Sequence, residues 1–283
     1  MSTSTSLRSS LLDLLASQWA GIGLAIDVPT RPGYVVDPEA LILATADLAE
    51  FDPRLADTSR DWVAEYARYV NRKRLDRMRR AWELRTLEPI DTTPHQTVSR
   101  GRVKKIEFES PACLMLRVRG LTGVNARAEV LLRLASSSSP QTVGALAEWC
   151  VYSKQNTAGA VGFLVDAGVA RAMRRGNRDE IQLVPENAPA WLRPGRKVPK
   201  VIRWAALLPV LSRVARLTES EPDQGSVTEQ IELRSMMDLA VDRLGGADWP
   251  VPDVRPGRDV RATSDEWRES LVKRISSLAG STG

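Results

Sequence analysis

Residues 141–184 read QTVGALAEWCVYSKQNTAGAVGFLVDAGVARAMRRGNRDEIQLV. Thr142 is placed to cap a short helix, because threonine accepts a hydrogen bond from the first turn. Ser153 is placed to cap a second helix over 154–167, which Gly168 ends. The apolar stripe of that second helix is predicted to be Ala158, Val161, Leu164 and Val165. Two strands, 169–174 and 179–184, then flank the turn 175–178. The stretch therefore predicts helix, tight turn, helix and a two-stranded hairpin.

The start of the second helix is polar. Short or flexible polar side chains occupy five successive positions: Ser153, Lys154, Gln155, Asn156 and Thr157. Gln and Asn side chains can form paired hydrogen bonds with adenine, and Lys can reach guanine or a phosphate. A helix that begins in this way is suited to reading base edges in the major groove of duplex DNA.

The hairpin after this helix is rich in arginine. Its polar candidates for contact with nucleic acid are Arg171, Arg174, Arg175, Asn177 and Arg178. An arginine-lined hairpin can lie along a phosphate backbone or enter a minor groove. Residues 141–184 carry five basic and four acidic side chains. The placement of the arginines, rather than the net charge, therefore favours DNA.

These features resemble the DNA-binding domains of MarR-like winged-helix regulators. The resemblance is carried by LAE at 146–148, SKQNTAGAV at 153–161, LVDAGV at 164–169 and the arginine hairpin. Together with the helical N- and C-terminal regions read on either side, it implies a mainly α fold with a central winged helix-turn-helix and small β-hairpin at 121–190. It also implies a prokaryotic transcriptional regulator that binds specific double-stranded DNA, as a dimer on two half-sites. Winged helices also occur as protein-interaction modules, so an antitoxin or scaffold that binds another protein is the alternative.

Composition argues against several kinds of catalytic site. The 283 residues carry a net charge of +5 and a single histidine, His95, in a loop-like stretch. A single histidine is a poor basis for a Ser-His-Asp triad or a His-ligated metal site. Neither a P-loop nor a GxSxG motif occurs in the sequence. We therefore expect no enzyme activity and no cofactor. Without an apolar signal segment, a cytoplasmic protein with reduced Cys113 and Cys150 is expected.

The N-terminal region, 1–88, is predicted to be helical. Asp37-Pro38 and Asp52-Pro53 each combine a capping residue with proline at the first helical position. The second pair is expected to open a short helix ending near Asp57, followed by another over 59–70. Residues 68–85 then hold eight basic and two acidic side chains. A solvent-facing basic surface is predicted from Arg72, Lys73, Arg74, Arg77 and Arg80. It is either a solvated helix face or a second contact with nucleic acid or an acidic partner.

Two further regions complete the predicted layout. Residues 89–120 read as a linker and connecting segment, in which 113–118 could be strand or helix. Residues 191–283 read as helical, with a proline break at Pro209 and capping boxes at 226–229 and 263–266. The last helix has one clean apolar stripe of Trp267, Leu271, Ile275 and Leu278. These helices either pack on the protein's own core or form a homodimer interface.

Overall fold

A computed structural model describes residues 6–29, 32–82, 101–192, 198–219, 227–245 and 249–279. Within these ranges the chain is mainly helical, as predicted. Its α-helices are α1 (Leu7–Gly21), α2 (Pro38–Asp47), α3 (Pro53–Tyr66), α4 (Arg72–Ala81), α5 (Leu114–Thr122), α6 (Ala126–Ser136), α7 (Val143–Cys150), α8 (Lys154–Asp166), α9 (Trp204–Glu219), α10 (Val227–Leu244) and α11 (Val260–Ala279). Its strands are β1 (Tyr34–Val35), β2 (Gln141–Thr142), β3 (Ala170–Arg175), β4 (Arg178–Leu183) and β5 (Lys200–Val201).

The two Asp-Pro pairs begin helices α2 and α3 as predicted. Asp37 accepts a hydrogen bond from the backbone N–H of Ala40, and Asp52 from that of Leu55. The predicted end of α3 near Asp57 is wrong, because the helix continues to Tyr66. Ser59 is buried within it and donates to the carbonyl of Ala56, so no new helix begins at this position.

The larger hydrophobic core joins both ends of the described chain. It unites α1 to α4 with α9 to α11. Trp19 and Trp62 meet edge to face at 5.4 Å within it, and β1 pairs in parallel with β5. Residues from 1–88 and 191–283 thus share one core, whereas the predicted layout treated them as separate regions.

The smaller core lies in the middle of the chain. It is formed by α5 to α8 together with an antiparallel sheet whose strand order is β2-β4-β3. Helix α5 falls in the segment predicted to be a linker and places Leu116 in the larger core and Val118 in the smaller one. This part of 89–120 is therefore a packed helix between the two cores; residues 83–100, including His95, lie outside the described residues.

The C-terminal helices pack on the protein's own core. The predicted stripe of Trp267, Leu271, Ile275 and Leu278 is buried. The capping box predicted at 263–266 is wrong: α11 begins earlier, where Asp259 accepts from the N–H of Ala262, and Thr263 is buried. The break predicted at Pro209 is also wrong, since α9 continues through it. Ser226 lies outside the described residues, and the homodimer stays a prediction.

Candidate nucleic-acid interface

Helix α8 starts as predicted. The side chain of Ser153 accepts a hydrogen bond from the N–H of Asn156 at 3.2 Å. Ser153, Lys154, Gln155 and Asn156 are all exposed. Val151, at the turn between α7 and α8, adopts the left-handed conformation with φ of 60°. The tight turn thus leaves the polar start of α8 open to solvent.

Thr157 does not belong to this exposed group. Its side chain is fully buried, and its hydroxyl has no hydrogen-bond partner among the described residues. The face of α8 that packs inward is Thr157, Ala160, Val161 and Leu164. Thr157 stands four and seven residues before Val161 and Leu164, which places it on the same helix face. The predicted base-reading role of Thr157 is therefore wrong, as is the predicted burial of Ala158, which is exposed.

The outer face of α8 has no side chain at two positions, Gly159 and Gly162. A Cβ atom added at Gly159 or Gly162 would meet nothing within 4 Å. Beside them Phe163 is 51% exposed, with the guanidinium of Arg127 lying 4.2 Å from the ring centroid. The glycines cost helix stability of about 1 kcal/mol each relative to alanine. In return, they allow another molecule to approach the helix backbone closely.

The arginine hairpin projects into solvent. Gly176 and Asn177 form a two-residue turn, with Arg175 paired to Arg178. Gly176 has φ of 60°, which suits the first central position of a tight hairpin turn. The strands extend one residue closer to the turn than predicted. The predicted contact residues Arg171, Arg174, Arg175, Asn177 and Arg178 are all exposed.

Carboxylates partly offset the charge of this hairpin. Arg174 lies 3.8 Å from Asp179, and Arg175 lies 3.6 Å from Glu180. Exposed pairs of this kind contribute only about 0–1 kcal/mol, so a phosphate can compete for either arginine. The hairpin has four arginines and two carboxylates, which leaves it cationic.

The basic surface predicted on α4 needs one correction. Arg72, Lys73 and Arg80 are exposed and Arg77 is half-buried. Arg74 is only 1% exposed, so it does not belong to the solvent face. It forms two hydrogen bonds with Asp37, at 2.7 and 2.6 Å, and donates to the carbonyl of Cys150 in α7.

Arg74 belongs to a buried ionic cluster that links both cores. Its charged members are Asp37, Glu39, Arg74, Arg119 and Glu129. Arg119 binds both oxygens of Glu39, at 2.8 and 2.7 Å, and also contacts Glu129. The five groups come from α2 and its cap, α4, α5 and α6, so the cluster ties the N-terminal helices to the central unit.

The same cluster reaches the turn between α7 and α8. The side chain of Asn71 donates to the Tyr152 hydroxyl at 2.8 Å, and its N–H donates to Glu39 at 2.6 Å. Burial raises the pKa of Tyr152, with the charge of Glu129 adding to the effect. Burial would also raise the pKa of Asp37, but the charge and hydrogen bonds of Arg74 outweigh it and hold that pKa below its usual range. The turn that presents α8 is thus joined to α4 by the hydrogen bonds of Asn71 and Arg74.

A groove separates α4 from α8. Its volume is about 820 Å³. Residues of α4, of the α5–α6 turn, of the start of α6 and of α8 line it, including Lys73, Arg77, Arg127, Gln155, Asn156 and Phe163. The predicted secondary basic surface therefore borders the predicted base-reading helix, although about 80 residues separate them in the sequence.

Other kinds of site find little support in the described ranges. No group of three or more His, Cys, Asp or Glu side chains there is arranged to hold a metal ion. Cys113 and Cys150 are buried and form no disulfide, as expected, and burial raises the pKa of Cys150. Among the described helices, none combines the length and apolar character that crossing a bilayer requires.

No protein-family model, curated protein or solved structure matches the chain.

Proposed function

We propose that this chain is a sequence-specific double-stranded DNA-binding protein, a prokaryotic transcriptional regulator whose central unit is a winged helix-turn-helix. The observation that carries the proposal is one compact unit combining α6, α7 and α8 with a three-stranded antiparallel sheet. In this unit, α8 exposes a polar first turn and the β3–β4 hairpin exposes arginines. This is the order of elements that winged domains use to bind a duplex.

Each exposed group has a distinct role in this proposal. Gln155 and Asn156 bond base edges in the major groove, and Lys154 reaches a guanine or a phosphate. The hairpin arginines hold the backbone or the adjoining minor groove. Base contacts supply sequence preference, whereas backbone contacts supply affinity that depends on salt.

The first test measures binding to the DNA upstream of the chain's own gene, with unrelated duplex as competitor. Gln155→Ala should cost about 1–3 kcal/mol at one base position and relax the preference there. The double variant Arg175→Ala/Arg178→Ala should weaken binding to all sequences and flatten the salt dependence by about 0.9 for each phosphate that the parent neutralises and the variant does not. The control Arg60→Ala/Arg261→Ala removes two exposed arginines elsewhere.

Two results would contradict the proposal. The first is a chain that shows no preference for its upstream DNA over the competitor. The second is a hairpin double variant that binds as tightly as the parent at every salt concentration, which would show that the hairpin arginines do not contribute to DNA binding.

A protein-interaction module is the second candidate, and one observation favours it. Val227 and Ile231, one turn apart on α10, are 73% and 64% exposed. Together they form a small exposed apolar surface on which another protein could pack. Replacing both with serine would weaken a protein complex but would leave DNA binding by α8 unchanged, so the two candidates are separable.

A further inference from the structure

The groove between α4 and α8 is strongly biased in charge. Among the described residues, a set of 14 lines it, and the charged members of that set are Lys73, Arg74, Arg77 and Arg127. No carboxylate occurs in this set. Arg74 is occupied by the buried ionic cluster, which leaves Lys73, Arg77 and Arg127 as the cations that can act on an occupant.

Two of these cations are held in defined positions. One terminal nitrogen of Arg77 is shielded from solvent and has no hydrogen-bond partner among the described residues. The Arg77 guanidinium lies 5.9 Å from the ring centroid of Tyr152. Arg127 is held by its hydrogen bond to Asn125 at 3.1 Å and by its position over Phe163. A shielded guanidinium nitrogen without a hydrogen-bond partner is costly, and an anionic occupant that accepts from it would remove that cost.

We infer that this groove holds one phosphodiester strand of the duplex that α8 reads, with Lys73, Arg77 and Arg127 as its phosphate ligands. The inference rests on the proposed function. When a helix lies in a major groove about 12 Å wide, the sugar-phosphate backbones run along both of its flanks. On one flank of α8 the protein presents α4 and Arg127. Gln155 and Asn156 lie on the shared wall, so base contact and backbone contact are made from adjacent surfaces.

The placement of α4 makes these contacts preorganised. Asn71 caps α4 by accepting from the N–H of Arg74 at 3.0 Å, and its side chain also bonds Tyr152. Arg74 anchors the same helix turn to the carbonyl of Cys150. Because α4 is fixed against the turn that presents α8, little ordering is needed when DNA binds.

The test compares the parent with the variant Lys73→Gln/Arg77→Gln/Arg127→Gln on a duplex the parent binds specifically. Removal of one phosphate ligand should lower the magnitude of the negative slope of log affinity against log salt by about 0.9, so the slope of the triple variant should be shallower by about 2.7. Hydroxyl-radical protection should disappear from one strand beside the major-groove contacts, while protection by the hairpin remains. The control Arg60→Gln/Lys273→Gln/Arg261→Gln makes the same charge change at exposed positions outside the groove and should keep the parent slope and footprint.

A second variant guards against misfolding by keeping Arg77, which has a terminal nitrogen shielded from solvent. Lys73→Gln/Arg127→Gln should keep the parent's circular dichroism spectrum and thermal midpoint. The magnitude of its slope of log affinity against log salt should fall by about 1.8. A parent-like slope and footprint in this variant would overturn the inference while the proposed function stands. A parent chain that binds no duplex specifically would overturn both.

Discussion

The buried ionic cluster makes a sharp prediction for Arg119→Met. Arg119 is 1% exposed, donates to Glu39 and Glu129, and also donates to the carbonyl of Tyr69 at 2.6 Å. The cluster holds three carboxylates and two guanidinium groups, so removing Arg119 leaves three carboxylates facing Arg74 alone. Breaking a buried pair in this way costs about 3–5 kcal/mol. That is a large part of the roughly 5–15 kcal/mol that stabilises a typical folded protein.

The assay is urea unfolding followed by tryptophan fluorescence, which eight tryptophans make sensitive. Arg258→Met is the matched control: Arg258 also contacts two carboxylates, Glu266 at 2.8 Å and Asp253 at 3.8 Å, but lies at the surface. Its removal should cost no more than about 1 kcal/mol.

A double variant tests the electrostatic reasoning itself. Arg119→Met/Glu129→Gln removes one charge of each sign and restores the parent's net charge in the cluster. It should therefore be more stable than Arg119→Met alone by about 1 kcal/mol or more, within the range of measured coupling energies. A destabilisation below about 1 kcal/mol for Arg119→Met, or a double variant no more stable than the single one, would refute the reasoning.

Two further predictions concern α8. Thr157→Val replaces a buried, unpartnered hydroxyl with a methyl group. The free energy of unfolding should stay equal or rise by about 1 kcal/mol, and DNA affinity should be unchanged. A tenfold weakening of DNA binding would instead show that Thr157 takes part in reading bases. Gly159→Ala and Gly162→Ala should each stabilise the chain by up to about 1 kcal/mol, because the added methyl group meets nothing within 4 Å. The same changes should weaken binding to the upstream duplex if its backbone approaches this face, and equal affinity would show that the glycines serve no such approach.

Features that depend on neighbouring residues could be predicted from the sequence. Asp37, Thr142 and Ser153 each cap a helix as expected, and each cap is a hydrogen bond spanning three residues. Local chemistry alone decides such contacts. The same holds for the two-residue turn at Gly176, where glycine suits the positive φ.

Features that depend on tertiary packing could not be predicted from the sequence. Arg74 lies in a run of arginines, and nothing in the sequence distinguishes it from the exposed ones. Only the approach of Asp37 and Glu39 makes it a core residue. Arg119 and Glu129 likewise resemble ordinary surface charges until the fold brings Arg119 into contact with both Glu39 and Glu129. By contrast, the burial of Thr157 was within reach of the sequence, since its spacing to Val161 and Leu164 follows the helical period.

The ionic cluster also explains why the groove and the polar start of α8 belong together. Replacing a buried ion pair with apolar residues is often neutral or stabilising, so stability alone is a weak reason for such a cluster. Its geometry is more informative. Arg74 and Asn71 hold the first turn of α4 against Cys150 and Tyr152, which form the turn before α8. An apolar contact would allow these helices to slide, whereas paired hydrogen bonds fix both distance and angle. The cations of α4 therefore keep a constant position beside Gln155 and Asn156, as one rigid surface that reads bases and binds their backbone would need.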